Sequence, residues 1–204
     1  MAIIALPASV RIARAQWTLD RPAQINRGAY TGRRQVVANP WHGRWTASVS
    51  LAPIIGEANA RAWRAFLAKA KGQINTFRLP MTEGSQSSLV TGVVSSTSVA
   101  YTAGAGATTM LVAVPGGTTG GMLAGMFVTV NDQPLLLTAD AVLDPGTGNI
   151  LIQFEPPLRA AVTLGTAIET RNPTCLVAMA DSASGWSVEK GQVYGFEFTA
   201  EEAF

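Results

Sequence analysis

The chain has few of the residues that build most catalytic and metal centres. Its 204 residues contain one cysteine, Cys175, and one histidine, His42. A lone cysteine excludes a disulfide within the chain, which fits maturation in a reducing cytoplasm, and we expect Cys175 to be a small core residue. A lone histidine means that a Ser-His-Asp or two-histidine metal site would have to be built across subunits.

Long apolar runs and abundant charge are also missing. No apolar run approaches the ~20 residues of a membrane-spanning helix. The N-terminus lacks a basic segment ahead of a long apolar stretch, so we expect no signal peptide. Charged residues are 14% of the chain, which is low for a soluble domain. Such a composition favours a protein that hides part of its surface in an assembly.

Motifs of cofactor chemistry are absent as well. The glycine-rich run at 115–121 lacks the Gly-Lys-Ser/Thr ending of a phosphate loop. Asp132, Asp140 and Asp144 lack the alternating ligand spacing of a calcium loop, and we interpret them as turn carboxylates. No acidic pair is placed for acid–base work. We therefore predict no enzyme activity, no cofactor and no metal.

The charges that are present divide the chain. Residues 1–80 hold twelve of the fifteen Lys and Arg, whereas residues 84–158 hold none. The basic first part reads as strands, most clearly at 44–51, where polar and apolar residues alternate. The neutral middle reads as short β-branched runs separated by turn signals, among them the hairpin turn at 144–149, which is typical of a small barrel or sandwich. Residues 185–196 predict a C-terminal hairpin that turns near Lys190 and Gly191.

One amphipathic helix is predicted at about 57–71. Glu57 lies in its first turn, and Gly72 follows as a residue able to adopt the left-handed conformation that ends a helix. The spacing i, i+3, i+4, i+7 gives one apolar face. The residues of that face are Trp63, Phe66, Leu67 and Ala70. We expect it to cover a sheet; a partner-binding or membrane-surface helix is the alternative.

These patterns predict a mainly β fold with two parts. The first is a β-sandwich with one helix, built from residues 1–82 and 173–204. The second is a small all-β domain, barrel or sandwich, inserted at 83–172. Arginine and aromatic residues of the outer strands are the predicted subunit contacts, since both are favoured at protein interfaces. They are Arg33, Arg34, Arg44, Trp45, Tyr194, Phe196 and Phe198.

The segment order resembles the distal tail proteins of long-tailed bacteriophages. The resemblance is carried by the segments 31–53, 57–80 and 185–204 and by the middle run 124–179. Its most specific element reads A..W.AFLA...G....F.LP. The residues of that element are Trp63, Phe66, Leu67, Gly72, Phe77, Leu79 and Pro80.

The resemblance implies a structural protein of the virion. In that family a belt domain, a β-sandwich with a helix, joins with its copies into a hexameric ring around the tail channel, and a second domain projects outward. Here 1–82 and 173–204 would form the belt. The implied partners are further copies of the chain, the tail tube protein, the baseplate hub protein and a tape-measure or tail-fibre protein. The implied location is the distal end of the tail, after synthesis in the host cytoplasm, with no membrane and no specific nucleic-acid binding.

Three other functions stay open on the sequence. One is a carbohydrate or cell-surface module that stacks sugars on Trp41, Trp45 and Trp186. Another is a different tail protein, such as a tube or terminator protein. The third is a nucleic-acid surface made of interleaved basic and aromatic residues. Its members would be Arg27, Arg33, Arg34, Arg44, Tyr30, Trp41 and Trp45.

Overall fold

A computed structural model of the chain describes residues 1–8, 12–38, 43–84, 86, 91–94, 103–114 and 120–204. Strands dominate it, with one helix, so the prediction of a mainly β fold is confirmed. In chain order the elements are β1 (Ile3–Ile4), β2 (Ile12–Asp20), β3 (Ala23–Arg27), β4 (Arg34–Ala38), β5 (Arg44–Leu51), β6 (Ile54–Ile55), α1 (Glu57–Ala70), β7 (Thr76–Pro80), β8 (Thr91–Val94), β9 (Thr109–Ala113), β10 (Gly121–Met122), β11 (Phe127–Val130), β12 (Gln133–Leu137), β13 (Ala141–Val142), β14 (Asn149–Glu155), β15 (Ala167–Glu169), β16 (Thr174–Met179), β17 (Trp186–Glu189) and β18 (Val193–Glu202).

The chain divides into two compact units. The first unit contains Met1–Leu19, Arg44–Leu79 and Cys175–Phe204, and the second contains Asp20–Gly43 and Pro80–Thr174. The segment Asp20–Gly43 thus groups with the middle of the chain, although the predicted boundaries assign it to the first part. The predicted domains at 1–82, 83–172 and 173–204 stay a prediction, because a compact unit is not yet a domain that folds alone.

The first unit is built on one sheet with the strand order β1-β7-β16-β18-β5-β2, and β6 and β17 also pair with β18. The polar and apolar residues of β5 alternate because one face of the strand is buried. The apolar residues on that face are Trp45, Ala47, Val49 and Leu51, and the residues between them are not buried. Ring contacts tie α1 to this sheet. Trp63 lies edge-on to Phe66 at 5.5 Å and 6.3 Å from Phe196, and Phe66 lies edge-on to Phe77 at 5.1 Å.

The helix begins and ends through its glycines and charges. Gly56 precedes it without a side-chain cap, and Glu57 complements the positive end of the dipole. The left-handed turn that ends it starts one residue earlier than predicted, since Lys71 has φ 51° and Gly72 φ 60°. Gly72 also lies against the backbone of Ser182, whose carbonyl oxygen would be 2.8 Å from an added Cβ. A glycine at position 72 therefore suits both the left-handed conformation of the turn and the close approach of the loop that carries Ser182.

The second unit contains a closed barrel with the strand order β11-β12-β14-β9-β8-β15. Among the described residues its interior is mostly aliphatic, and Phe154 is the aromatic side chain found there. The largest buried members are Phe154, Met110, Met122, Leu135, Leu137 and Ile150. The turn predicted at 144–149 is present, and there the Asp144 carboxylate accepts hydrogen bonds from the Gly146 N–H and the Thr147 hydroxyl. Those two bonds hold the pKa of Asp144 below its usual range, the Thr147 bond being the larger cause.

Candidate assembly surfaces

The most exposed structured part of the second unit is a two-stranded ribbon, which we define as β3, β4 and their connecting turn at 28–33. Its strands pair with each other and, among the described residues, with no third strand. Every residue from 23 to 37 has an exposed side chain, and Tyr30 in the turn is fully exposed. An isolated hairpin of this kind is at best marginally stable in water. A ribbon with this exposure would be stabilised by a partner that covers it.

One face of the ribbon combines apolar and charged side chains. Ile25 lies directly opposite Val36, and Arg27 lies directly opposite Arg34. Because side chains on a strand alternate with a period of two, these four share a face. Ile25 is 50% exposed and Val36 48%. Both arginines are exposed, and neither forms an ion pair with a described residue. Like charges placed opposite each other destabilise a strand pair.

Both ends of the segment that carries the ribbon are tied to residues near the barrel strands. Arg21, just before β3, forms an ion pair with Glu155 at 3.5 Å. Beyond β4, the Gly43 carbonyl accepts a hydrogen bond from Arg159 Nη2 at 2.6 Å. The residues just before β3 and just after β4 are thus held by contacts within the second unit, while the strands and the turn of the ribbon are exposed to solvent.

The sheet of the first unit also has open edges. In the part of the chain that the structure describes, β2 pairs only with β5, and β17 pairs only with β18. Trp186 and Val188 share one face of β17 and are 46% and 59% exposed. Unpaired backbone groups at such edges are available to a strand of another chain.

Beside β17, a cluster of charged and aromatic side chains joins the start of α1 to β18. The Tyr194 hydroxyl donates to Glu57 Oε2 at 2.6 Å, and the Arg64 guanidinium donates to Glu57 Oε1. The Arg64 guanidinium also lies over the rings of Trp186 and Tyr194, 5.8 Å from each ring centre. Phe196 stacks on Trp186 at 6.4 Å and 26°. These contacts fix the exposed Trp186 in one orientation.

Protonation equilibria in this cluster are coupled through one hydrogen bond. The bond from Tyr194 is the largest cause that lowers the pKa of Glu57, followed by the bond from Arg64. The same bond raises the pKa of Tyr194, with burial as the second cause. The ionised carboxylate paired with the neutral phenol is therefore the favoured state across the neutral pH range.

We expect Tyr194→Phe to destabilise the chain at neutral pH by an amount that shrinks in acid. A carboxyl with a lowered folded pKa contributes stability above its ordinary pKa of 4.5, and this is lost as the pH falls through the folded value. Urea unfolding of both proteins between about pH 3 and pH 8 measures the difference. Tyr30→Phe is the matched control, since Tyr30 is fully exposed. A difference that stays constant over this range would contradict the coupling.

The predicted contact and packing residues lie in different environments. The four residues of the helix face, Trp63, Phe66, Leu67 and Ala70, are buried within the first unit. Of the predicted subunit contacts, Trp45, Tyr194 and Phe196 are also buried there, so they serve the chain's own core and present little surface to a neighbour. Phe198 is partly buried and lies edge-on to Phe77 at 5.9 Å.

The predicted basic contacts remain at the surface. Arg33 and Arg34 are exposed on the ribbon. Arg44 is exposed on β5, where it forms an ion pair with Glu201 at 2.9 Å and lies 5.6 Å from the centre of the Phe204 ring. The arginines proposed for a nucleic-acid surface are therefore divided, with Arg27, Arg33 and Arg34 on the ribbon and Arg44 on the sheet of the other unit.

The proposed sugar platforms are likewise separate. Trp45 is 4% exposed and packs edge-on against Trp17. Trp186 is half-exposed, but Phe196 and Arg64 already contact its ring. Trp41 and His42 lie outside the described residues. No three-tryptophan platform is formed by the residues that are described.

The carboxylates considered for calcium are turn residues where the structure describes them. Asp140 accepts a hydrogen bond from the Ala124 N–H at 2.7 Å, and Asp144 closes its own turn. Across the described part of the chain, no group of three His, Cys, Asp or Glu side chains is placed to hold a metal ion. Cys175 is a buried thiol.

The sequence analysis predicted contacts at Arg33 and Arg34 but did not predict that β3 and β4 form an exposed two-stranded ribbon. Strand β4 was predicted from its β-branched residues, whereas β3, with the sequence AQINR, has only Ile25 as a strong strand former. The signal that was available is the pairing of two weakly apolar stretches across a turn containing Gly28 and Gly32.

Comparison with known proteins leaves the family open. No protein-family model matches the chain, and no curated protein matches it. In the described ranges, the 14-residue helix α1 is too short and too polar to cross a membrane, and no other helix could do so.

Proposed function

We propose that this protein is a structural component of a bacteriophage tail tip, whose copies join into a ring around the tail channel. The ring, hexameric in this proposal, joins the tail tube protein to the baseplate hub or tail-fibre proteins at the distal end of the virion tail. The first unit supplies the belt of the ring. The helix-and-strand motif around Trp63 and Leu79 supports the family, and the ribbon supports the assembly.

The ribbon is the observation that carries the proposal. A free two-stranded ribbon with exposed apolar residues gains stability when a partner covers it. Completing the burial of Ile25 and Val36 would contribute on the order of 1 kcal/mol each. The ribbon and the surface that receives it are different patches, so the contact can repeat head-to-tail from copy to copy, and such repetition closes a ring when the rotation between copies divides a full turn.

Purified full-length protein is expected to form closed rings. Native mass spectrometry over a range of concentrations would give one dominant multiple of the chain mass, and negative-stain images would show annular particles, alone or at the ends of isolated tail tubes. A chain that stays monomeric at every concentration and does not attach to tubes would overturn the proposal.

The double variant Ile25→Ser with Val36→Ser should lose rings while keeping its fold. The physical reason is that the apolar part of the covered face becomes polar, whereas the cores of both units are untouched. Ile74→Ser is the control, since Ile74 is 61% exposed outside the ribbon and both strand edges. We expect unchanged circular dichroism spectra for all three proteins and unchanged rings for the control. Rings that persist in the double variant would exclude the ribbon face as the contact.

A further inference from the structure

The paired arginines of the ribbon need an anionic partner. Arg27 and Arg34 oppose each other on adjacent strands, where Cβ atoms are about 4.5–5.5 Å apart. Two guanidinium groups held so close repel each other, and a pair of carboxylates between or beyond them would turn this repulsion into attraction. The described residues of the chain offer these two arginines no carboxylate.

A complementary surface exists on the first unit. A cleft of about 220 Å³ opens on its sheet, where the loop after β16 passes β18 and β5. Asp181 and Glu197 line it, together with Ser48, Thr199 and the partly buried Phe198. Since one water needs only about 10–15 Å³ of such space, the cleft has room for more than one side-chain head group.

The two carboxylates are brought together by strand pairing. The Ala180 N–H donates to the Thr199 carbonyl at 2.9 Å, which continues the β16–β18 ladder to the residue before Asp181. Glu197 lies two residues before Thr199 on β18, so both acids reach the same cleft. Both side chains are exposed, and neither forms an ion pair with a described residue. The first unit therefore presents two exposed carboxylates at one cleft.

We infer that Arg27 and Arg34 of one copy dock against Asp181 and Glu197 of the next copy in the assembly. The inference rests on the proposed function, because it assumes that copies associate through the ribbon. Arginine suits the role, since its planar guanidinium donates two parallel hydrogen bonds to a carboxylate. Ile25 and Val36 lie on the same face of the ribbon as the two arginines.

The polarity of this contact follows from its two different surfaces. The donor face belongs to the second unit and the acceptor cleft to the first, so each copy uses both once. Repeated from copy to copy, such a contact builds a ring or a filament; exchanged between two copies it would build a two-fold dimer, which the mass of the assembly distinguishes. The contact also neutralises the basic ribbon and the acidic cleft together, so a complete ring leaves neither charge pair unbalanced.

Charge reversal on each side tests the pairing in the full-length chain. We expect Arg27→Glu with Arg34→Glu, and separately Asp181→Lys with Glu197→Lys, to weaken association roughly 100-fold or more, because each puts like charges face to face. Mixing the two variants should restore assembly, since the reversed ribbon of one meets the reversed cleft of the other. Sedimentation velocity of each protein and of the mixture measures this.

Two controls each reverse one charge elsewhere. Lys69→Glu lies on the exposed side of α1, and Glu83→Lys lies after β7; both are outside the ribbon, the cleft and the open strand edges and should assemble as the wild type does. Unchanged circular dichroism spectra would exclude misfolding. If the wild type closes into rings but the reversed variants do so equally, or mixing restores nothing, the docking is overturned while the ring stands. If the wild type never associates, the proposed function itself fails.

Discussion

Trp63→Ala is expected to lower the free energy of unfolding by about 3–5 kcal/mol. Trp63 is 1% exposed and has the largest fully buried side chain of the described residues. It contacts Phe66 on its own helix and Phe196 on β18, so its removal leaves a cavity between α1 and the sheet. Urea unfolding followed by circular dichroism measures the loss.

Trp63→Phe separates the packing of this side chain from its polar atom. The Trp63 Nε1–H is buried and has no hydrogen-bond acceptor among the described residues. A buried unsatisfied donor costs about 1–3 kcal/mol, and phenylalanine removes it while keeping most of the aromatic contacts. We expect the phenylalanine variant to lose less than half of what the alanine variant loses. Equal losses would show that the volume of the indole decides the stability and its N–H does not.

Gly72→Ala is expected to cost about 2–5 kcal/mol, for two reasons that act together. A φ of 60° costs an L-residue roughly 1–2 kcal/mol. The added Cβ would also lie 2.8 Å from the Ser182 carbonyl oxygen and 3.0 Å from its Cα. Both are backbone atoms, so a loop must move to make room, at a further cost of about 1–3 kcal/mol. Thermal unfolding of the variant would show the loss as a lower melting temperature.

Gly148→Ala is the control for the conformational part alone. Gly148 has a similar φ of 69° and no heavy atom within 4 Å of an added Cβ. Its substitution should therefore cost only about 1–2 kcal/mol. If both substitutions cost the same, the close approach to Ser182 contributes nothing and the left-handed conformation explains the whole effect.

Local patterns were enough to predict much of the fold. The alternation of β5 and the 3.6-residue spacing of α1 are both present where they were predicted. Each pattern predicts its element because one face is buried and the other is exposed to solvent. The alternation of apolar and polar residues therefore indicates which face each residue lies on. The turn at 144–149 was recognisable for a different reason, since Asp144 and Gly146 have a direct chemical role in closing it.

The pairing of strands that are distant in the sequence could not be predicted from such local patterns. The parallel pairing of β1 with β7 joins residues more than seventy positions apart, and two-residue strands such as β10 and β13 have no period to detect. Arginines give no sequence signal that tells a paired from an unpaired one. Arg44 and Arg34 cannot be told apart by their sequence context. Arg44 nevertheless forms an ion pair with Glu201 of the same chain, whereas Arg34 forms no ion pair with a described residue.

The uneven distribution of basic residues also determines where trypsin can cut the native protein. The barrel strands from β8 to β14 lie in a stretch without any lysine or arginine, so the enzyme has no peptide bond to attack there. The turn after β3 instead carries Arg33 with an exposed side chain. A free chain should consequently be cut after Arg33, and a chain whose ribbon is covered by another copy should resist that cut. The rate of cleavage after Arg33 would therefore measure how much of the protein has its ribbon covered.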